Sequence, residues 1–259
     1  MHRYKQIEYR AGATVEIIKC IPRAVRKDWK GQRNKKTPEE IREANVRQAA
    51  RKLSRILNAN FRPGDWHVTL TYRRGSCPSP KEGKKNLDSF LRNLRDRYKR
   101  RGFQLKYVTV TEYKNKAIHH HVILNNINDG KKTTADHVRE LWKGRGNPKF
   151  IPLYDNGEYS HLANYLIKET AKTFKEKDSV EKQRYSSSRN LIIPKPQTRI
   201  RTTKTGWALD PRPRPGYYID QDTLYNGFDR LGYPYQRYIL VKLDPKETDW
   251  LPSTWPGSG

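Results

Sequence analysis

Sulfur is scarce in this 259-residue chain, which has two cysteines, Cys20 and Cys77, and one methionine. Two cysteines so far apart build neither a disulfide framework nor a zinc site of cysteine spacing. They fit a reducing compartment and are expected to pack as small apolar groups. Long apolar runs are missing as well, and none approaches the roughly 20 residues that cross a bilayer. The opening Met-His-Arg-Tyr-Lys-Gln has no apolar stretch of the secretory kind. A soluble, cytoplasmic protein that does not engage a membrane is therefore expected. No internal repeat is visible, which argues against a solenoid. No Gly-x-x-x-x-Gly-Lys-[Ser/Thr] phosphate loop occurs, so no fused helicase is expected. Acidic residues are also few, 27 against 54 Lys and Arg, a formal net charge of +27.

Such an excess of positive charge predicts a polyanionic partner, most often nucleic acid. Three regions follow from composition and periodicity. Residues 1–60 read as a strand (14–19), a basic arm (23–36) and a helix opened by Thr37-Pro38-Glu39-Glu40, with Thr37 as cap. Residues 61–178 alternate strands and helices: a strand at 66–72, a basic amphipathic helix at about 81–101, a hairpin, a short helix capped by Thr134, a short strand at 150–154 and a helix from Ser160. Order becomes doubtful across 176–189. Residues 190–259, rich in Pro, Tyr and Arg, read as a β-rich extension packing on the preceding domain. The fold class expected is α+β, an antiparallel sheet of about five strands with helices packed on it and an open face carrying the site.

The stretch 107–121, Tyr-Val-Thr-Val-Thr-Glu-Tyr-Lys-Asn-Lys-Ala-Ile-His-His-His, carries the most chemistry. Alternate strand residues share a face, so His119 and His121 point one way and His120 the other. A turn centred on Asn115-Lys116 pairs residues whose numbers sum to 231, which sets Glu112 opposite His119. Glu112, His119 and His121 are thus candidate ligands of a divalent metal. Two histidines and a carboxylate alone suit Zn, Fe or Ni as well as harder ions. On the helix from Ser160, Lys168 follows Tyr165 by three residues and shares its face. An ammonium there favours the phenolate of a tyrosine whose ordinary pKa is about 10. The Lys and Arg residues of 81–101, among them Lys84, Lys85, Arg92 and Arg95, are expected to line a groove for single-stranded DNA, with or without a hairpin stem. His2, His67 and His137 show no partner in the sequence and read as structural or exposed.

The order of these pieces resembles the HUH endonuclease superfamily, specifically the rolling-circle replication initiators of small plasmids, phages and single-stranded DNA elements. Val68-Thr69-Leu70-Thr71 is similar to the first family motif, His119-His120-His121 with Glu112 to the second, and Tyr165 with Lys168 to the third. The resemblance spans roughly residues 66–172. It implies a ferredoxin-like HUH nicking domain over 61–178, Mg or Mn as the metal, and Tyr165 as a nucleophile leaving a 5′-phosphotyrosyl link and a free 3′-OH. It also implies later strand rejoining, an origin hairpin as substrate, and a separate helicase and polymerase in a bacterial host. Thr69 and Thr71 would then lie beside the metal strand, where small hydroxyls admit a phosphate backbone. Two departures stand out. His120 occupies a position that is usually hydrophobic, which leaves it as a further candidate ligand. His161 occupies the place of the second tyrosine in two-tyrosine members, implying a single-tyrosine enzyme in which His161 is a candidate for proton transfer. An HUH relaxase or transposase fits the same motif order, and a non-catalytic DNA- or RNA-binding protein is the alternative of another class.

Overall fold

The computed structural model describes residues 2–26, 37–114, 117–154, 156–173, 184–229 and 231–250. The far end of the basic arm, the Asn115-Lys116 turn and much of 176–189 lie outside these residues. In chain order the elements are β1 (His2–Ala11), β2 (Thr14–Cys20), α1 (Arg23–Arg26), α2 (Pro38–Asn60), β3 (Trp66–Leu70), α3 (Pro80–Arg100), β4 (Tyr107–Lys114), β5 (Ala117–Leu124), α4 (Thr134–Trp142), β6 (Pro148–Pro152), α5 (Ser160–Thr173), β7 (Ser186–Ser187), β8 (Gln197–Thr203), β9 (Tyr217–Phe228) and β10 (Pro234–Lys242). They form an α+β fold with two antiparallel five-stranded sheets, ordered β8-β1-β2-β10-β9 and β6-β3-β5-β4-β7. The chain divides into two compact units, one of Met1–Asn60, Asn156–Ser160 and Ile192–Gly259, the other of Phe61–Asp155 and His161–Leu191. Among the described residues no helix is long and apolar enough to cross a membrane.

The first unit joins the two ends of the chain in one sheet. Between β1 and β2 the backbone turns at Gly12, whose φ of 55° suits glycine and whose absent Cβ would meet the Asn58 carbonyl at 2.1 Å. Helix α2 starts as the sequence predicts: the Thr37 amide donates to Glu40 Oε2 at 2.7 Å and the Glu40 amide to Thr37 Oγ1 at 3.2 Å. It covers one sheet face, where the buried Glu16 carboxylate receives Arg55 and Arg237. Burial works against that charge, yet the two guanidiniums outweigh it and hold the Glu16 carboxyl below its ordinary range. On the other face Val15, Ile17, Ile219, Tyr238 and Leu240 cluster. The segment after β8 lies there, with Trp207 edge-on to Tyr4 and Arg214 paired with Glu8.

In the second unit α3 and α4 pack against one face of the sheet. Leu87, Phe90, Leu91, Leu94 and Tyr98 of α3 meet Val68, Leu70, Tyr107, Val122, Leu124 and Trp142 in a single buried cluster. Helix α3 is opened by a capping box between Ser79 and Glu82. For α4 the cap is Thr133 in place of the expected Thr134. Thr134 is fully buried and its hydroxyl lies 2.7 Å from that of Tyr98, so tertiary packing takes the side chain that local pattern assigned to the helix end. The cysteines also depart from expectation: Cys20 is half-buried, while Cys77 is exposed and packs into no core.

Candidate active site

The pairing of β4 with β5 has the register that the sequence predicts, with Glu112 opposite His119 and Val110 opposite His121. Strand β3 pairs with the other side of β5, setting Thr69 opposite His121. Alternation then sends His67, Thr69, Glu112, His119 and His121 to the face not used by α3. Glu112 is buried, and its Oε2 lies 3.3 Å from His121 Nε2 and 3.9 Å from His119 Nδ1. His121 is 5% exposed at the side chain and His119 35%. The donors are of the right type for a divalent cation, a carboxylate flanked by two imidazoles. Among the described residues, no three His, Cys, Asp or Glu side chains are drawn together closely enough to hold a metal ion. The Glu112–His121 pair is close and His119 stands further out.

The second nitrogen of His121 has its own partners. Nδ1 lies 3.1 Å from His67 Nε2 and 3.4 Å from Thr69 Oγ1. The sequence shows no partner for His67; its cross-strand neighbour on β5 supplies one. Burial is the first cause that pushes the pKa of both His67 and His121 down to about 4, with neighbouring imidazoles adding to it. Both rings are therefore neutral near pH 7, the form that offers a lone pair. His120 is a different case. It points into the core side, 0% exposed, with Nδ1 3.1 Å from Thr111 Oγ1 and Nε2 3.1 Å from the Tyr72 hydroxyl. Both nitrogens are committed, so the pleat removes His120 from the candidate ligands.

Helix α5 brings Tyr165 to this face. Its ring meets His121 edge-on, centroids 5.6 Å apart, and 43% of the residue is exposed. Burial first, then the charges of Glu112 and Glu169, push the Tyr165 pKa above its ordinary value. Glu169 carries no motif signal in the sequence, although its place one turn after Tyr165 puts the two on one helix face. It is buried, and its charge acts on both Tyr165 and His121. Lys168 is exposed on α5, as is His161 one turn before Tyr165. Thr71 lies just past β3, its hydroxyl donating to the Asn147 carbonyl at 2.9 Å. Lys84, Lys85, Arg92 and Arg95 belong to α3 and hence to the opposite side of the sheet from Glu112 and His121. The structure thus gathers Thr69, Glu112, His119, His121 and Tyr165, adds His67 and Glu169, and sets the α3 cations apart.

Residues 65–174 match a family model described as replication-associated protein, of the ORF2 type. The match covers β3 to α5, every element of this site, and indicates a replication initiator; the α+β fold is consistent with that of HUH endonucleases. No curated protein and no solved structure matches the chain.

Proposed function

Taking residues 65–174 as a replication-associated domain, we propose that the protein initiates rolling-circle replication by nicking single-stranded DNA at an origin. The observation that carries this reading is Tyr165 standing against His121, whose Nε2 faces Glu112. A tyrosine hydroxyl is a nucleophile that also serves as a covalent anchor, and it lies beside donors suited to a cation.

In the proposed reaction the Tyr165 oxygen attacks phosphorus and the P–O3′ bond breaks. The phenol gives up its proton and the departing 3′ oxygen takes one up. The products are a 5′-phosphotyrosyl link and a 3′-OH that a polymerase extends; the reverse attack by a 3′-OH rejoins strands. Glu112, His119 and His121 would hold Mg or Mn, which when bound polarises the scissile phosphate and offsets nearby negative charge. Glu112 and Glu169 otherwise keep the phenol protonated. The Lys168 ammonium, one helical turn from Tyr165, works in the other direction by favouring the phenolate. His67 and Thr69 fix the His121 ring through Nδ1 so that Nε2 faces the carboxylate. Thr69 and Thr71 offer small hydroxyls to the DNA backbone. A separate helicase would open the duplex.

The test is incubation of the protein with single-stranded oligonucleotides from its own element and Mg or Mn, followed by denaturing electrophoresis. A covalent protein–DNA adduct is expected, lost in Tyr165→Phe, in His121→Ala and with chelator. Binding without an adduct across a broad oligonucleotide pool would replace this reading with that of a non-catalytic DNA-binding protein.

A further inference from the structure

A cavity of about 760 Å³ opens where the C-terminal end of α3 meets the β4–β7 edge of the second unit's sheet. Its walls include Arg95, Lys99, Phe103, Gln104, Arg189 and Asn190, and among the described residues no carboxylate lines it. Tyr107 in its wall belongs to the α3 face of the sheet, so the cavity lies away from Glu112 and His121. We infer that this cavity binds one unpaired nucleotide of a single DNA strand, at a place separate from the proposed nicking site.

The charge balance is the first ground. Three cations meet in the cavity wall without an acidic neighbour among its described lining residues, which favours an anion there. The basic group on the next faces of α3 shows the contrast: Arg97 lies 2.6 Å from Glu140, and Arg101 pairs with Asp129. The second ground is a stacking surface. Phe103 is 39% exposed, an unusual position for a ring unless something flat covers it. Arg95 is pre-positioned, donating to the Tyr107 hydroxyl at 3.3 Å with its guanidinium 5.9 Å from the ring centre. A guanidinium held by one N–H keeps others for phosphate oxygens. The third ground is the amides. Asn190 is fixed by donating to the Leu105 carbonyl at 3.2 Å, and Gln104 lies beside it at 3.4 Å. Cation, aromatic face and paired amides are the three kinds of group that bind phosphate, base plane and base edge. The volume falls within the range of ligand pockets of nucleotide size.

The inference rests on the single-stranded DNA reading above, and its test is separable from nicking. The full chain is mixed with single-stranded oligonucleotides carrying 5-iododeoxyuridine, in chelator, irradiated and mapped by peptide mass spectrometry. A cross-link in the peptide bearing Phe103 is expected. Phe103→Ala should abolish it and weaken binding by about five- to a hundredfold, the range for losing one stacked base. Arg189→Ala should weaken binding while retaining the cross-link at high DNA concentration. Both residues are exposed, and circular dichroism checks that the variants fold. Cross-links only elsewhere, with unchanged affinity in both variants, would overturn the inference. So would full competition by inorganic phosphate alone, which would reduce the cavity to an anion site, or by RNA in preference to DNA. A retained cross-link without adduct formation in the metal assay would refute nicking alone; adducts without this cross-link would refute the cavity alone.

Discussion

His67 governs how His121 presents itself. An imidazole whose Nδ1 is engaged can turn only Nε2 toward Glu112, and His67 lies 3.1 Å from that Nδ1. Groups that orient a ligand typically contribute roughly 10–100-fold to metal affinity. His67→Phe is therefore predicted to weaken Mn²⁺ binding by about that factor in calorimetry on the full chain, with His67→Gln in between; equal affinities would remove His67 from the account. Nothing in the sequence discloses this contact, since the partners are 54 residues apart and meet only through β3–β5 pairing. His120 is ambiguous in the sequence for the same reason: what lies behind a strand cannot be read from the strand. Asp65 is a second residue with a consequence. Burial raises its pKa to about 6 although the Asn126 and Arg62 amides donate to it. The folded protein thus holds this proton more tightly than the unfolded chain, with an ordinary value near 3.8. The stabilisation is complete below about pH 3.8 and is lost as pH rises through about 6. Between those values Asp65 contributes a slope of about 1.4 kcal/mol per pH unit. Urea denaturation across about pH 4–7 should show that slope in the parent and its loss in Asp65→Asn; parallel curves would contradict the assignment.

Among the elements, the β4–β5 hairpin is the most legible, because a tight turn fixes register locally and register fixes faces. Glu112 opposite His119 follows from that alone. Helices α2, α3 and α5 are legible from caps and apolar spacing, whereas β1 is not, its polar sequence His2–Ala11 lacking a strand's alternation. The short β7 has no signal of its own and exists through pairing with Val108 and Thr109. The end of β3 shows how tightly neighbouring elements are fitted. A Cβ on Gly146 would lie 2.0 Å from the Thr71 carbonyl oxygen, which already accepts from the Trp142 indole at 2.8 Å. Gly146→Ala must push the loop off β3, at a cost of about 1–3 kcal/mol typical of overpacking. Thermal denaturation measures this, and a variant as stable as the parent would mean that the loop yields freely.

At the scale of the whole molecule, the charge of +27 sets the class of partner before any motif is considered. What composition cannot give is that the ends of the chain complete one sheet, β8-β1-β2-β10-β9, while the unit that carries the site is inserted between them in sequence. Strand pairings between residues 2–20 and 197–242 are too distant in sequence to be read from local pattern. The inserted unit, by contrast, is recognisable because its chemistry sits on consecutive elements from β3 to α5. The central claim is that Tyr165 becomes joined to DNA. The measurement that reaches it most directly is proteolysis of the metal-dependent adduct, with mass spectrometry of the residue that retains the nucleotide and polymerase extension of the released strand. A 5′-phosphate on Tyr165 together with an extendable 3′-OH is the predicted result; an adduct on any other residue, or one that persists in Tyr165→Phe, would contradict it.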